Sequence, residues 1–102
     1  MDNFSNLNYL KSELKKITHH FELKDFDYVI QKSIILIKKN PQQIPFYNFL
    51  GLAYRQKGKL YLAEKILYEA HKMEPNNINV ITNLASVYRR LEDFSKSIKY
   101  FE

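Results

Sequence analysis

The chain has no cysteine and no tryptophan, and only two glycines and three prolines in 102 residues. Without cysteine there are no disulfides, no thiolate nucleophile and no cysteine-based zinc site. That composition fits a reducing compartment, and a cytoplasmic location is expected. The scarcity of glycine and proline leaves few tight turns, which disfavours a many-stranded β protein and favours long helices. Two isolated glycines cannot build a phosphate-cradling loop. Long hydrophobic runs are also missing. The longest aliphatic stretch, Ile34-Ile35-Leu36-Ile37, is far too short to cross a bilayer, so no membrane role is expected. The opening Met1-Asp2-Asn3-Phe4-Ser5 has no basic stretch followed by an apolar one, so no signal peptide is visible. The Asn3-Phe4-Ser5 sequon is therefore read as inconsequential.

What is present is an ordinary globular balance of 45% apolar and 26% charged residues, which argues against disorder. Eight tyrosines and seven phenylalanines must supply the large-area packing. The net charge of +5 is compatible with solubility, acidic partners or nucleic acid.

The strongest signal is internal repetition. Displacing the sequence against itself by 34 residues places Pro41 on Pro75, Leu50 on Leu84 and Tyr54 on Tyr88. Phe26 falls on Leu60 and then Phe94, Val29 on Ala63 and then Ser97, and Leu67 on Phe101. Gly51 falls on Ala85, so small size is kept. A helix hairpin repeated at this period is the mark of a solenoid, because one unit cannot bury its apolar face alone.

The middle unit resembles a tetratricopeptide repeat (TPR). Its first helix carries Tyr47-x2-Leu50-Gly51-x2-Tyr54 and its second Ala63-x3-Leu67-x2-Ala70, and Pro75 closes the unit. Gly51 and Ala63 are small where helix backbones approach, and Gly58 lies where the inter-helix turn wants a left-handed residue. In the third unit Ile81, Leu84, Ala85, Tyr88, Phe94, Ser97 and Phe101 take the matching places. The stretch Asn83-Leu84-Ala85-Ser86-Val87-Tyr88 is similar to repeats of the O-linked N-acetylglucosamine transferase type. In the first unit the second helix fits through Phe26, Val29, Ile30, Ile34 and Leu36. The first helix would place Lys16 and His20 on core positions at a strict spacing. A shift of one residue puts Leu14, Ile17, Thr18 and Phe21 there instead, and a turn one residue shorter after Phe21 is inferred. Leu7, Leu10, Leu14, Ile17 and Phe21 form a helical stripe in any case.

The resemblance implies an all-α, right-handed TPR solenoid of antiparallel helix hairpins, with about three repeats and the last truncated. Residues 1–102 form a single TPR domain with repeats at about 10–43, 44–77 and 78–102. Helices are expected near 5–22, 25–39, 44–57, 60–73, 78–91 and 94–102, with Asp25 and Asp93 at the starts of second helices, where a carboxylate meets unsatisfied N–H groups.

No enzyme signature is present, and no catalytic residue, cofactor or metal site is assigned. His19 and His20 point about 100° apart on a helix and chelate poorly; with His71 they are read as exposed or partly exposed helix residues. Scattered Glu64, Glu69, Glu74 and Glu92 are read as a solvated face. Nucleic acid is disfavoured as a partner because the aromatics fall at core spacing and do not interleave with basic residues.

In a TPR stack the first helix of each unit lines a concave groove. The family pattern places Pro45, Asn48, Phe49, Leu52, Arg55 and Gln56 there from the middle unit, and Asn79, Thr82, Asn83, Ser86, Arg89 and Arg90 from the third. Ser12, Lys15, Lys16 and His19 follow from the shifted first unit. Free of acids and rich in cations, such a groove suits an extended peptide. Amides would hold its backbone and arginines its carboxylates, while Phe49 and Leu52 offer an apolar spot. Phe49, Asn79 and Asn83 replace residues that a chaperone-tail receptor needs, so that role is not expected. The function implied is a protein-interaction scaffold or adaptor with a protein or peptide partner, acidic in character. The alternative is a substrate-recruiting module of a larger enzyme such as a glycosyltransferase or sulfotransferase. Because the sequence stops within the expected sixth helix, a face bearing Leu84, Val87, Tyr88, Ile98 and Phe101 is expected to lack cover. Three explanations compete: the chain is a fragment, it forms a homodimer through that face, or it is marginally stable alone.

Overall fold

The computed structural model describes the backbone of residues 3–101 and the side chains of residues 6–95. Five helices follow one another with no strand among the described residues: α1 (Asn3–Glu22), α2 (Phe26–Lys39), α3 (Ile44–Gln56), α4 (Leu60–Met73) and α5 (Ile78–Phe101). Each packs on its neighbour in sequence, and α1, α3 and α5 also touch in series. The result is an all-α helical repeat solenoid with the odd helices side by side along one face.

The connections show why the chain turns where it does. Lys24 and Gly58 take positive φ, 62° and 77°, reversing the chain between the helices of a unit. Around them the backbone bonds recur pairwise: Leu23 N–H to His19 O and Lys57 N–H to Ala53 O, then Asp25 N–H to His20 O and Lys59 N–H to Tyr54 O. Asp25 caps α2 by accepting from Tyr28 N–H. Between units, Asn40 N–H bonds to Leu36 O and Glu74 N–H to Ala70 O; Pro41 and Pro75 follow. Pro45 opens α3, where a missing N–H costs nothing, and Asn77 Oδ1 accepts from Val80 N–H at the start of α5.

Every one of these pairs is 34 residues apart, so the strict register holds through the first unit. The inferred one-residue shift and shorter turn are corrected by it. Glu13 then occupies the place of Tyr47, Lys16 that of Leu50, His20 that of Tyr54 and Ser33 that of Leu67. Polarity at these positions is accommodated, not avoided. The Glu13 side chain is buried with Lys32 Nζ 3.3 Å and Lys16 Nζ 3.6 Å from its oxygens. The same contacts raise the Lys32 pKa, chiefly through its hydrogen bond to Glu13 and then through that carboxylate's charge. Lys16 keeps its head in solvent. His20 stacks on Tyr28 with ring centroids 3.6 Å apart and its Nδ1 lies 3.0 Å from Asp25 Oδ2.

Three groups of buried side chains run along the stack. Leu10, Ile17, Val29, Leu36, Phe46 and Ala53 join α1, α2 and α3. Ile44, Tyr47, Ala70 and Val80 follow, then Ala63, Leu67, Leu84 and Val87. Tyr47 donates its hydroxyl to Pro41 O at 2.8 Å, and burial, then Glu69, raises its pKa.

The third unit departs from expectation. No turn forms near residue 92; α5 runs unbroken from Ile78 to Phe101, and Asp93 lies inside it instead of capping a sixth helix. The position equivalent to Lys24 and Gly58 is Glu92, and a left-handed non-glycine residue costs roughly 1–2 kcal/mol. In the first unit that cost, borne by Lys24, is offset because α2 packs on both α1 and α3, and in the second unit Gly58 avoids it. Residues 94–101 have no such second neighbour among the described residues. Leu84 and Val87, expected to lie uncovered, are buried against α4. Tyr88 is exposed as expected; the side chains of Ile98 and Phe101 lie outside the described residues.

Candidate peptide-binding groove

The N-terminal halves of α3 and α5 part to leave an open cleft of about 530 Å³ lined by Pro45, Asn48, Phe49, Asn79, Thr82 and Asn83, with Gln42, Gln43, Ile44, Glu74 and Asn77 at its rim. Four of the residues singled out from sequence meet here: Asn48, Phe49, Asn79 and Asn83. Asn83 Nδ2 donates to Asn48 Oδ1 at 3.1 Å, a bond between units that leaves each amide with unused capacity. Because the middle unit has Phe49 at the place of Asn83, the amides form one pair and not a repeating ladder. Phe49 divides its surface between the cleft and the first core group, where its ring meets Phe21 edge-on at 5.5 Å.

Leu52, Arg55, Ser86, Arg89 and Arg90 lie outside the cleft, further along the same helices. Leu52 is half-buried. Ser86 Oγ is committed to Asn83 O at 2.7 Å. Arg90 Nη1 donates to Arg55 O at 3.1 Å, a favourable contact for a cation at a helix C-terminus. Arg55 is half-buried, and its Nε is buried without a hydrogen-bond partner. Burial, then the Arg90 charge, lowers its pKa. Arg89 is exposed. Among the described residues no ion pair joins Arg55, Arg89 or Arg90 to a carboxylate, so this end of the face gathers positive charge.

A separate concavity lies along α1. Lys11, Leu14, Lys15, Thr18, His19 and Glu22 line a shallow concavity of about 420 Å³. Under the strict register Lys11, Leu14, Lys15, Thr18 and Glu22 are the counterparts of Pro45, Asn48, Phe49, Leu52 and Gln56, so this concavity occupies the first unit's equivalent positions. Lys15 and His19 were anticipated; Ser12 and Lys16 are not part of it. Lys11, Leu14 and Thr18 were missed because of the shifted register, and the repeat of the turn residues is the signal that finds them. The groove is also not free of acids, since Glu74 and Glu22 border it. Among the described residues no three His, Asp or Glu side chains gather as metal ligands, and no helix is long and apolar enough to cross a membrane.

No curated protein matches the chain. A family model for the tetratricopeptide repeat matches residues 44–77 and 78–102. The match covers more than half of the chain, and the helix pairs and turns recur at the period that this repeat requires: the protein belongs to the tetratricopeptide-repeat family.

Proposed function

We propose that this chain is a protein-interaction module that holds an extended, acidic peptide segment along the face shared by α1, α3 and α5. Repeats of this family generally mediate protein–protein contacts. The observation that carries the finer reading is the trio Arg55, Arg89 and Arg90, unpaired by any described carboxylate and adjoining a cleft floored by the Asn48–Asn83 amide pair. Free amide capacity suits the N–H and C=O groups of an extended backbone. Guanidinium groups suit its side-chain carboxylates, bidentately where geometry allows. Lys11 and Lys15 extend the positive surface onto the first unit.

The test is a panel of fluorescent peptides of one length, acidic, neutral and basic, titrated with the protein at two salt concentrations. Acidic peptides should bind tightest and lose affinity with salt. The Arg55→Glu, Arg89→Glu double variant should bind them far more weakly with unchanged helicity. Equal binding by that variant sinks the groove assignment. A single-stranded oligonucleotide that outcompetes every peptide would move the partner to nucleic acid.

A further inference from the structure

The exposed side of α5 is a helix-sized berth. Carrying the middle unit forward by one repeat places Ile44, Tyr47, Leu50, Gly51 and Tyr54 on Ile78, Ile81, Leu84, Ala85 and Tyr88. In the middle unit these residues are covered by α4: Ile44 is 5% and Tyr47 7% exposed, and Leu67 is fully buried against Gly51. In the third unit Leu84 is buried against α4, but among the described residues no following helix covers this face, and Ile78 is 76% and Ile81 43% exposed. Ile81, Leu84, Ala85 and Tyr88 wall an open pocket together with His71 of α4. The buried His71 Nδ1 has no hydrogen-bond partner there.

The repeat also specifies the occupant. The berth on α3 receives a helix with Ala63 and Leu67 buried at its contact positions, and the Leu60, Ala63 and Leu67 spacing of that helix recurs in this chain as Phe94, Ser97 and Phe101. That segment cannot reach the berth of its own molecule, because α5 continues straight through Glu92. We propose that residues 94–101 of a second copy of the chain fill it, each copy lending its arm to the other. The register closes on itself. Gly51 with Leu67 becomes Ala85 with Phe101, and midway between 85 and 101 lies 93. Two antiparallel α5 helices crossing at residue 93 therefore seat both arms at once, the self-complementary arrangement that a two-fold axis requires. The swap places on each exposed face the helix pattern that covers its equivalent in the middle unit, and uses the arm that the absent turn leaves extended.

The chain has no native cysteine, which makes the contact testable by cross-linking. Ala85 and Phe101 take the places of Gly51 and Leu67, which meet at the α3–α4 crossing, so Ala85→Cys with Phe101→Cys should oxidise to a covalent dimer. Neither single variant should do so, and the unmodified chain should sediment as a helical dimer. Glu92→Gly should permit the left-handed turn, fold the arm back and give a monomer. An internal disulfide in the double variant, a dimer from Ala85→Cys alone, or a monomeric unmodified chain into the millimolar range would each overturn the swap. Binding of groove peptides plays no part in this readout, so the test stands apart from the proposal for the α1, α3 and α5 face.

Discussion

A Cβ placed on Gly51 would come within 2.4 Å of Leu67 Cγ and within 2.8 Å of both its methyl carbons. Leu67 is fully buried and has nowhere to swing, so the α3–α4 crossing is set by the absence of one side chain. Gly51→Ala gains up to about 1 kcal/mol in helix propensity but overpacks a contact where such insertions cost roughly 1–3 kcal/mol. The variant should therefore be destabilised in urea. Leu67→Ala alone should cost about 2–5 kcal/mol through the cavity it leaves, yet markedly less in the Gly51→Ala background, where the new methyl occupies part of that space. Additive losses across the four proteins would show that the contact does not set the crossing.

In the first unit the same two positions hold Ile17 and Ser33, both fully buried. The large and the small residue have exchanged helices. A scan that asks for glycine on the first helix and leucine on the second fails here although one small and one large residue still meet, which is why periodic apolar residues alone pointed to a shifted register. The middle and third units were readable because their small and large residues keep their sides. The first unit was not, because Glu13, Lys16, His20 and Ser33 satisfy their positions by ion pairing, snorkelling, stacking and size, none of which a hydrophobic template rewards. The unbroken α5 escaped for another reason. Phe94, Ser97 and Phe101 carry a second-helix pattern, but pattern does not reverse a chain. The reversal needs a left-handed residue and a neighbour to stabilise it, and Glu92 lacks the glycine found at Gly58. In the groove, Asn48, Phe49, Asn79 and Asn83 were legible from repeat position, whereas the share of α1 depended on the register.

Glu13 makes the first unit sensitive to the loss of its cations. Lys32→Met should destabilise the chain, because a buried carboxylate is left with only the solvent-exposed Lys16 as counter-charge. Complete loss of a buried partner costs about 3–5 kcal/mol, and the partial exposure of Lys32 and the remaining lysine should reduce that to about 1–2 kcal/mol. Glu13→Leu should be neutral or stabilising, since replacing buried charge by apolar volume removes the desolvation cost. If both substitutions destabilise equally, the pair is a net source of stability and the argument fails. Denaturant midpoints at fixed slope decide between them.

Alkaline conditions should weaken the fold in a way that single substitutions can trace. Folding raises the Lys32 pKa above its ordinary 10.5, through the Glu13 hydrogen bond first, and the Tyr47 pKa above 10.0, through burial first. For both, the folded state holds its proton more tightly than the unfolded state. Their contribution is thus complete below the unfolded values and is lost as pH rises through the folded ones. Stability should be flat in these groups at neutral pH and fall above about pH 10. Tyr47→Phe should remove its share of that slope. It should also cost about 1 kcal/mol at neutral pH through the lost bond to Pro41 O. A slope unchanged by the substitution would mean that Tyr47 does not titrate with folding.

The Asn48–Asn83 bond joins two units and floors the cleft, so a loss of binding in Asn48→Ala would not by itself distinguish a structural tie from a ligand contact. Asn48→Asp separates them. A carboxylate at this position still accepts from Asn83 Nδ2, and more strongly because the acceptor is charged, so the tie between α3 and α5 should survive and thermal stability should hold. The same charge faces the path of an acidic peptide and removes the amide N–H donors that its carbonyls would use. Affinity for acidic peptides should fall by about tenfold, equivalent to roughly 1.4 kcal/mol, while binding of a neutral peptide changes less. Asn48→Ala should instead lose about 0.5–1.5 kcal/mol of stability. Calorimetric titration of both variants with matched acidic and neutral peptides gives the answer: an Asn48→Asp protein that binds acidic peptides as well as the parent would leave the amide pair a structural tie only.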